Sequence, residues 1–379
     1  MKIAIVVERF PPDVGGSGTR YYKIAEHLSK RHVIDVFTLG KQYSADRKQR
    51  FNIYRLDPNL HGLPSSLNKL NRVIYLSCST FLQFLSRSYD IIDVDIWPFL
   101  PFFTVKIAKP KTPVVVSWNV VWPFSYNKAV SKICEILAHP VSKVGDHHVT
   151  VSNFAKTILQ KRFKIPTGKL SVIPNGIDKE FLKAKMEPQP GRIIFIGRLE
   201  PQKRIDLILK GFKIFKEKVS AAELHIIGSG SLQQSLLKAS QKVSGVYLHN
   251  PLPTTDNKEI IEQLRKSWVF ISTSEFESYG LSIAEALSVG LPVLITKALN
   301  EAVKEFVKNG QNGLIVEHNK PTAIAKALEK LYRNQGLWTR LSQNARGMAS
   351  FHSWDDVAKK VEEVYKKLTN HDLQDMDTI

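Results

Sequence analysis

Cysteine and long apolar runs are scarce in this chain of 379 residues. Its two cysteines, Cys78 and Cys134, have no metal-ligand spacing and are too few for a disulfide framework, which favours a reducing, intracellular setting. The richest apolar stretch, residues 96–105, contains two prolines, and a membrane span needs about 18 apolar residues. The apolar run at residues 3–7 is too short for a signal peptide. We therefore expect a cytoplasmic protein.

Acidic residues are also scarce, because 35 Asp and Glu stand against 54 Lys and Arg and leave a net charge of +19. Residues 1–185 carry most of this excess, with 28 basic and 13 acidic side chains. Such an excess indicates a polyanionic partner, which is a phosphorylated substrate, an acidic membrane surface or a nucleic acid; the alternative is a charge that serves only solubility. The sequence has no zinc-ligand spacing, basic recognition helix or aromatic RNA-binding strand, so specific nucleic-acid binding is disfavoured.

Short β-branched runs alternate with amphipathic segments along most of the chain. This alternation is typical of βαβ units and of parallel sheets buried on both faces. The first series of predicted strands is 3–7, 34–38, 91–94, 114–117, 148–151 and 171–173. The second series is 193–196, 224–227, 246–249, 269–272, 293–295 and 313–316. Two series predict an α/β protein with two doubly wound domains.

Residues 183–191 have the composition of a linker, with two prolines and a glycine. We therefore place a first domain at residues 1–185 and a second at 186–350. Residues 351–379 form a separate tail, in which apolar side chains recur at helical spacing over 354–368. Such a helix must cover a surface, and the first domain is one candidate. The acidic residues from His371 onward are typical of a frayed end.

Glycine-rich segments follow two of the predicted strands. Residues 11–18, which include Gly15 and Gly16, lead into a helix that we expect to begin near Thr19. Residues 228–230, Gly-Ser-Gly, occupy the same kind of position after a strand of the second series. Glycine lets the backbone approach a ligand closely, and a helix N-terminus offers N–H donors to an anion. Neither segment has the G-x-G-x-x-G pattern, so a turn without a ligand is the alternative.

Charged residues follow two other strands of the second series. Arg198 directly follows Gly197 and Lys203 lies five residues further on, so both cations can reach one pair of phosphates at the carboxyl end of the strand; the alternative is a solvated surface pair. Glu277 is expected in a loop and Glu285 on the helix that follows it. A glycosidase pair needs its carboxyl groups about 5–9.5 Å apart, whereas this spacing spans about 12 Å of helix. Acceptors for sugar hydroxyls therefore fit these carboxylates better than an acid and base pair.

In this combination and order, the segments resemble the family-4 retaining glycosyltransferases. The resemblance covers nearly the whole chain and rests chiefly on Arg198, Lys203 and the Glu277-x7-Glu285 segment. Further matching segments are residues 15–16, 151–152, 173–178, 228–230, 290–293, 312–314 and 351–354. The resemblance implies the GT-B architecture, in which two Rossmann-like domains face each other and a C-terminal helix crosses back to the first domain.

The resemblance also implies how the substrates are bound. A nucleoside-diphosphate sugar would be held mostly by the second domain, with acceptors on the first. Arg198, Lys203 and Glu277 would be catalytic, the cations neutralising the departing diphosphate while Glu277 contacts the donor sugar. Glu285 would bind the ribose hydroxyls, and Gly16 would approach the phosphate. The other implied donor-binding residues are Gly15, Asn119, Gly197, Gly228, Ser229, Gly230, Ser278, Tyr279, Gly280 and Leu281. No metal and no cofactor is implied, and UDP or GDP would be the product.

One segment departs from the family pattern. After the strand at residues 113–116, Asn119 stands where the family often has a histidine, and Val120 stands in place of an acidic residue. Asparagine forms hydrogen bonds but cannot carry a proton at neutral pH. The expected function is transfer of a hexose-type sugar to a hydroxyl acceptor, which is a glycan, a lipid-linked molecule or a small molecule. The alternative is a catalytically impaired sugar-nucleotide-binding protein of the same fold.

The basic first domain contains one amphipathic segment that suits a membrane surface. Residues 67–87 place Lys69, Arg72 and Arg87 beside apolar side chains at helical spacing. A basic amphipathic helix lies well on an anionic membrane, which would suit a lipid-linked or phosphorylated acceptor. We therefore expect peripheral contact with the inner membrane face, the alternative being a helix that faces the core with its charges in water.

Overall fold

The computed structural model describes residues 1–13, 15–41, 49–57, 65–120, 128–253, 256–299, 301–347 and 351–369, without the side chains of 65–70 and 128–129. The predicted acidic end from His371 onward lies outside the described residues. The chain forms two compact units, of which the first comprises residues 1–176 with 354–379 and the second residues 177–353. The expected domain boundary at residue 185 therefore lies inside the second unit.

A parallel sheet forms the centre of the first unit. Its strands are β1 (Lys2–Val6), β2 (Val33–Leu39), β3 (Asn52–Leu56), β4 (Ile91–Asp95), β5 (Val114–Trp118), β6 (His147–Thr150) and β7 (Leu170–Val172). Their order in the sheet is β3-β2-β1-β4-β5-β6-β7. The helices between them are α1 (Gly16–Leu28), α2 (Ser65–Leu85), α3 (Leu100–Ala108), α4 (Lys128–Val144) and α5 (Asn153–Phe163).

The connections of this sheet divide its helices between two faces. The chain moves one way across the sheet from β1 to β2 and the other way from β3 through β7. Because crossovers between parallel strands are right-handed, α1 covers one face and α2, α3, α4 and α5 cover the other. Contacts between α2 and α3 and between α4 and α5 agree with this placement.

The second unit has a parallel sheet with the order β10-β9-β8-β11-β12-β13. Its strands are β8 (Arg192–Ile196), β9 (Glu223–Ile227), β10 (Val246–His249), β11 (Val269–Ser272), β12 (Val293–Thr296) and β13 (Gly313–Val316). Its helices are α6 (Lys179–Lys183), α7 (Ile205–Lys218), α8 (Gln233–Ser240), α9 (Lys258–Lys266), α10 (Leu281–Val289), α11 (Glu301–Lys304), α12 (Pro321–Arg333) and α13 (Gln335–Gly347). Most strand residues are buried, as expected for a sheet covered on both faces.

The last helix, α14 (Trp354–Thr369), packs against α1 and β4 of the first unit. The Tyr365 hydroxyl donates a hydrogen bond to the buried carboxylate of Asp93 over 2.6 Å. Tyr21 of α1 and Ser117 of β5 donate to the other oxygen of this carboxylate, over 2.9 and 2.8 Å. Burial raises the pKa of Asp93. The prediction that the C-terminal helix returns to the first domain is confirmed.

The α/β fold with two parallel sheets is confirmed, and three local predictions need correction. The half-exposed strand β3 was not predicted, because a short segment at the sheet edge lacks a continuous apolar run. Helix α1 begins at Gly16 rather than near Thr19, so Gly16 and Gly18 belong to its first turn. Helix α2 ends before Arg87, whose guanidinium lies 4.2 Å from the Tyr54 ring centre rather than on the helix surface. Among the described residues, no helix is long and apolar enough to cross a membrane.

Candidate active site

The predicted site residues of the second unit follow β8, β9 and β11. The chain leaves β8 for β9 on one side, whereas β11 pairs with β8 on the other side, so the strand order reverses between β8 and β11. Open α/β sheets bind ligands at such a reversal, beyond the carboxyl ends of the strands. The topology therefore places the predicted residues where this fold has room for a ligand.

Lys203 and Glu277, both predicted as catalytic, are in direct contact. Lys203 ends the short 3-10 turn Pro201–Lys203 after β8, and its Nζ forms an ion pair with Oε1 of Glu277. The Ser274 hydroxyl donates to the same Oε1 over 2.9 Å. Both charged side chains are largely buried, which strengthens their attraction relative to a pair in water. A cation and a carboxylate are thus held together at the strand ends.

Hydrogen bonds between the two strand exits fix the turn that carries Lys203. The Thr273 hydroxyl donates to the carbonyl oxygens of Lys203 and Arg204, over 2.9 and 2.8 Å. The Glu275 amide donates to the carbonyl oxygen of Gln202 over 3.0 Å. Sequence reasoning did not assign Thr273 or Ser274 a role. The run of three hydroxyl residues at 272–274, which begins at the last residue of the buried strand β11, was the available signal.

The neighbouring cations Arg204 and Arg198 differ in their surroundings. Arg204 has a left-handed backbone with φ of 46°, and its guanidinium bonds to Asp206, Glu275 and Asn319 over 3.0, 2.8 and 3.0 Å. Within the described part of the chain, the half-buried Arg198 side chain makes no hydrogen bond or ion pair. Arg204 therefore organises the loop, and Arg198 remains available to an anion.

The glycines at 228 and 230 are required by the close approach of two loops. A Cβ at Gly228, where φ is 151°, would lie 1.9 Å from the carbonyl oxygen of Gly197. A Cβ at Gly230 would lie 2.4 Å from the carbonyl oxygen of Leu199. The amide of Leu199 donates to the Ser229 carbonyl over 2.8 Å, which joins the loops directly. These glycines hold the segment with Arg198 in place, whether or not an anion binds there.

The segment from Glu277 to Glu285 leads from a loop into α10, as predicted. Gly280 has a positive φ of 89° and precedes α10, whose first amides have no side-chain cap. Its neighbour Tyr279 is buried against Phe306, with ring centres 5.4 Å apart. Ser278 lies in the loop, Leu281 is the first residue of α10, and Glu285 is half-buried one turn further on. The uncapped N-terminus can donate to an anion.

In the first unit, the strand order reverses between β1 and β4, and Gly15 and Gly16 lie just beyond β1. A Cβ at either glycine would meet nothing within 4 Å. A Cβ at Gly18 would lie 2.7 Å from the Arg9 carbonyl oxygen. Packing therefore requires Gly18, whereas the space at Gly15 and Gly16 is open. The N-terminus of α1 has no side-chain cap and no acidic residue in its first turn.

Asn119, at the departure from the family pattern, contacts a buried acid. Its amide nitrogen donates to Oδ1 of Asp95 over 3.3 Å, which joins the ends of β5 and β4. Burial is the main reason that the pKa of Asp95 is raised to about 8; the hydrogen bond from Asn119 opposes this rise, and the charges of Asp93 and Glu8 contribute to it. Sequence reasoning did not select Asp95. Its place at the end of a buried strand, beside the strand reversal, was the signal that could have identified it.

No group of three His, Cys, Asp or Glu side chains in the described part of the chain is arranged to hold a metal ion. Glu277, which one reading of the sequence paired with Glu285 as in glycosidases, instead bonds to Lys203. The site therefore offers cations, helix amides and carboxylate acceptors, which suit a ligand with phosphates and hydroxyl groups.

Comparisons with known proteins agree with this description. Residues 177–348 match the family of glycosyl transferases group 1, and residues 14–181 match Glycosyltransferase Family 4. An uncharacterized glycosyltransferase of Methanocaldococcus jannaschii is 25% identical over 400 residues, covering 97% of this chain and 98% of that protein.

Two solved structures share the fold over nearly their whole length. Sucrose-phosphate synthase from Thermosynechococcus elongatus has a TM-score of 0.79 at 14% identity, covering 98% of this chain and 99% of its own. Anabaena HepE in complex with UDP-glucose has a TM-score of 0.76 at 16% identity, covering 97% and 100%. The chain is thus a glycosyltransferase with the GT-B fold. It belongs to the group 1, family-4-like glycosyltransferases.

Proposed function

We propose that this glycosyltransferase moves a hexose-type sugar from a nucleoside-diphosphate sugar to a hydroxyl acceptor, with retention of the anomeric configuration and without a metal. The observation that supports this proposal most is the contact between Lys203 and Glu277 at the strand reversal. It brings together a cation suited to a diphosphate and a carboxylate suited to sugar hydroxyls. HepE has the same fold and its structure contains UDP-glucose, so UDP-glucose is the first donor to test.

Donor binding would exchange the partner of Lys203. A diphosphate carries more negative charge than one carboxylate, so it competes with Glu277 for the Nζ of Lys203. Arg198 would supply the second cation, and the uncapped amides of α10 would add partial positive charge. Glu277 would then accept hydrogen bonds from the donor sugar, and Glu285 from the ribose. Donor binding would thereby bring together the positive charges that stabilise the departing diphosphate.

In the reaction, the bond between the sugar C1 and the diphosphate oxygen breaks, and its electron pair leaves with the diphosphate. The acceptor oxygen forms the new bond to C1 on the same face, and its proton passes to the departing diphosphate oxygen. Arg198 and Lys203 would stabilise the charge that develops on this oxygen. One preorganised donor of this kind typically contributes about 10²–10³ in rate.

The first unit would bind the acceptor, and its charge favours an anionic one. Residues 1–185, which include most of this unit, hold 28 basic and 13 acidic residues. Asn119 and Asp95, at the ends of β5 and β4, would offer an amide and a carboxyl group to a sugar. Because Asp95 titrates near neutral pH, acceptor binding at this position would depend on pH.

A thermal-shift screen with UDP-, GDP- and ADP-sugars tests the donor. A ligand at 100 times its dissociation constant should stabilise the protein by about 2.7 kcal/mol. We expect a shift with a UDP- or GDP-sugar, and release or transfer of its sugar at a rate that EDTA leaves unchanged. Binding without hydrolysis or transfer to any acceptor would favour the catalytically impaired alternative. A protein stabilised by no sugar nucleotide would contradict the proposal.

A further inference from the structure

Three consecutive hydroxyl side chains, at residues 272–274, mark the exit of β11. Ser272 and Ser274 are both buried. Their hydroxyl oxygens lie 3.2 Å apart, and the Ser274 oxygen lies 2.9 Å from Oε1 of Glu277. Ser272 and Ser274 therefore form a buried chain of hydroxyl groups that ends on a carboxylate of the proposed donor site.

The direction of the hydrogen bonds in this chain follows from the number of protons that it contains. A serine hydroxyl has a single proton to donate, whereas an ionised carboxylate can only accept. Ser274 therefore donates its proton to Glu277, and Ser272 donates its own proton to the Ser274 oxygen. Hydrogen bonds that point in one direction polarise one another, and a bond to a charged acceptor is about twice as strong as a neutral one. Ser274 is thus a strong donor to Glu277.

Other hydrogen bonds hold the backbone on both sides of Ser274. The Thr273 hydroxyl and the Glu275 amide, which flank it in the chain, donate to backbone carbonyl oxygens of residues 202–204. These bonds join the two strand exits without any contribution from the Ser274 hydroxyl. The hydroxyl of Ser274 instead acts on a side chain, the carboxylate of Glu277. Removal of this hydroxyl is therefore expected to change the orientation of Glu277 more than the path of the loop.

Ser274 and Lys203 bind the same oxygen, Oε1, of Glu277. The last torsion of a glutamate side chain has broad energy wells, so the contacts of the carboxylate decide how it is oriented. In the proposed reaction the diphosphate competes for the Nζ of Lys203 and draws it away from Oε1. Ser274 stays in place, because its neighbours fix the backbone. The hydroxyl of Ser274 thus continues to hold Oε1 after the cation has changed its partner.

We infer that Ser274 is a positioning residue for sugar transfer, whose hydroxyl keeps the Glu277 carboxylate turned toward the donor sugar once the diphosphate has bound Lys203. Ser274 acts through Glu277 and makes no contact with the substrate itself. The inference rests on the proposed function and extends it to the group that makes the exchange of partners productive. Misplacement of a reacting group by about 1 Å lowers the rate strongly. Loss of the hydroxyl should therefore slow transfer more than it weakens binding.

Steady-state kinetics of the full chain with UDP-glucose, measured as sugar released or transferred, test this role beside calorimetry with UDP. We expect Ser274→Ala to lower kcat by about 10–100-fold, the loss typical of a hydrogen bond to a charged group. The Kd for UDP should remain nearly unchanged, because Arg198 and Lys203 are intact. Ser288→Ala is the matched control, since Ser288 is equally buried but donates to the Ala284 carbonyl oxygen over 2.8 Å. This control should keep the wild-type kcat.

The same substitution in a Glu277→Gln background separates positioning from a structural role. An amide oxygen is a weaker acceptor than a carboxylate, so Ser274→Ala should lower kcat there by less than about threefold. An equal loss in both backgrounds would overturn the inference, because Ser274 would not act through Glu277.

Two other results for the single variant Ser274→Ala would also overturn the inference. One is a wild-type kcat, and the other is a loss of UDP binding together with kcat, which would indicate a collapsed site. Each of these results leaves the proposed function intact, since the wild-type protein transfers sugar. Wild-type protein that releases or transfers no sugar from any sugar nucleotide of the thermal-shift screen would instead overturn the proposed function and this inference together.

Discussion

The Nζ of Lys203 and the carboxylate of Glu277 form an ion pair between the exits of β8 and β11, although the residues are 74 positions apart. The hydroxyls of Thr273 and Ser274 support this pair from the β11 side, one holding the Lys203 backbone and the other the Glu277 side chain. The arrangement keeps a cation at the proposed donor position. Because Lys203 and Glu277 are paired, a substitution of either residue is expected to change how the other one binds the donor.

Removal of either proposed phosphate-binding cation should slow transfer without unfolding the protein. We expect Arg198→Ala and Lys203→Ala each to lower kcat by about 10²–10³, since each removes charge from the developing diphosphate. Lys213→Ala, on the exposed side of α7, is the matched control and should keep the wild-type kcat. Steady-state kinetics, with circular dichroism to verify folding, provide the measurement. Equal kcat values in all three variants would show that the cations do not act on the leaving group.

Removal of the charge at position 277 should have opposite effects on the affinity for the product UDP and on the rate of sugar transfer. In Glu277→Gln, the amide retains the size of the side chain but no longer holds Lys203 by charge. We therefore expect UDP to bind more tightly, by up to about fivefold, which corresponds to the ~1 kcal/mol of a partly exposed ion pair. Transfer should slow, because an amide is a weaker acceptor for sugar hydroxyls. Calorimetry with UDP, beside the transfer assay, measures both effects. Weaker UDP binding would indicate that Glu277 only supports the loop.

Two glycine variants should distinguish a packing requirement from a ligand-binding one. Gly228→Ala forces a Cβ to within 1.9 Å of the Gly197 carbonyl oxygen at a positive φ, so it should destabilise the protein by at least about 2 kcal/mol. Gly16→Ala places its methyl group in open space, so it should leave the thermal unfolding nearly unchanged. If Gly16 approaches the donor phosphate, this variant should nevertheless lose transfer activity. A Gly16→Ala protein with full activity would remove Gly16 from the donor site.

The buried acid at position 95 should make the stability of the protein depend on pH. Between its ordinary pKa of 3.8 and its folded value of about 8, the folded chain keeps a proton that the unfolded chain has released. Stability from this group is therefore greatest below pH ~4 and falls by at most ~1.4 kcal/mol per pH unit up to pH ~8. Asp95→Asn does not titrate, so its stability relative to the wild type should rise from pH 5 to pH 9. Urea unfolding at both pH values measures this difference, and a constant difference would contradict the assignment.

The hydroxyl of Tyr365 should contribute measurably to the attachment of α14. Tyr365→Phe removes one of three donors to the buried Asp93 carboxylate, so we expect a loss of about 1–3 kcal/mol in the free energy of unfolding. Tyr332→Phe, at a partly exposed residue of α12, is the matched control and should change this free energy little. Urea denaturation followed by circular dichroism provides the measurement. Identical unfolding curves for the two variants would show that the bond to Asp93 is dispensable.

Local patterns predicted most of the fold, because buried parallel strands are continuous apolar runs. The runs that became β8 and β11 were recognised in this way, and β3 was missed because an edge strand needs no such run. The glycines at 228 and 230 were noticed, but the interpretation as an anion cradle omitted their contact with residues 197–199. The role of Arg204 in the loop was also missed, since its partners Glu275 and Asn319 are distant in sequence.

The amino-acid sequence by itself determined the α/β class, the two series of strands, the excess of positive charge and the identity of the candidate cations and carboxylates. These properties depend on residue type and short-range spacing, which a linear pattern contains. Only the tertiary structure decided that Lys203 contacts Glu277, that Asp95 is buried beside Asn119, and that Tyr365 bonds to the buried carboxylate of Asp93. The reason is physical: ion pairing, burial and exposure depend on which segments pack against each other in the folded chain. Short-range sequence patterns do not specify these long-range contacts.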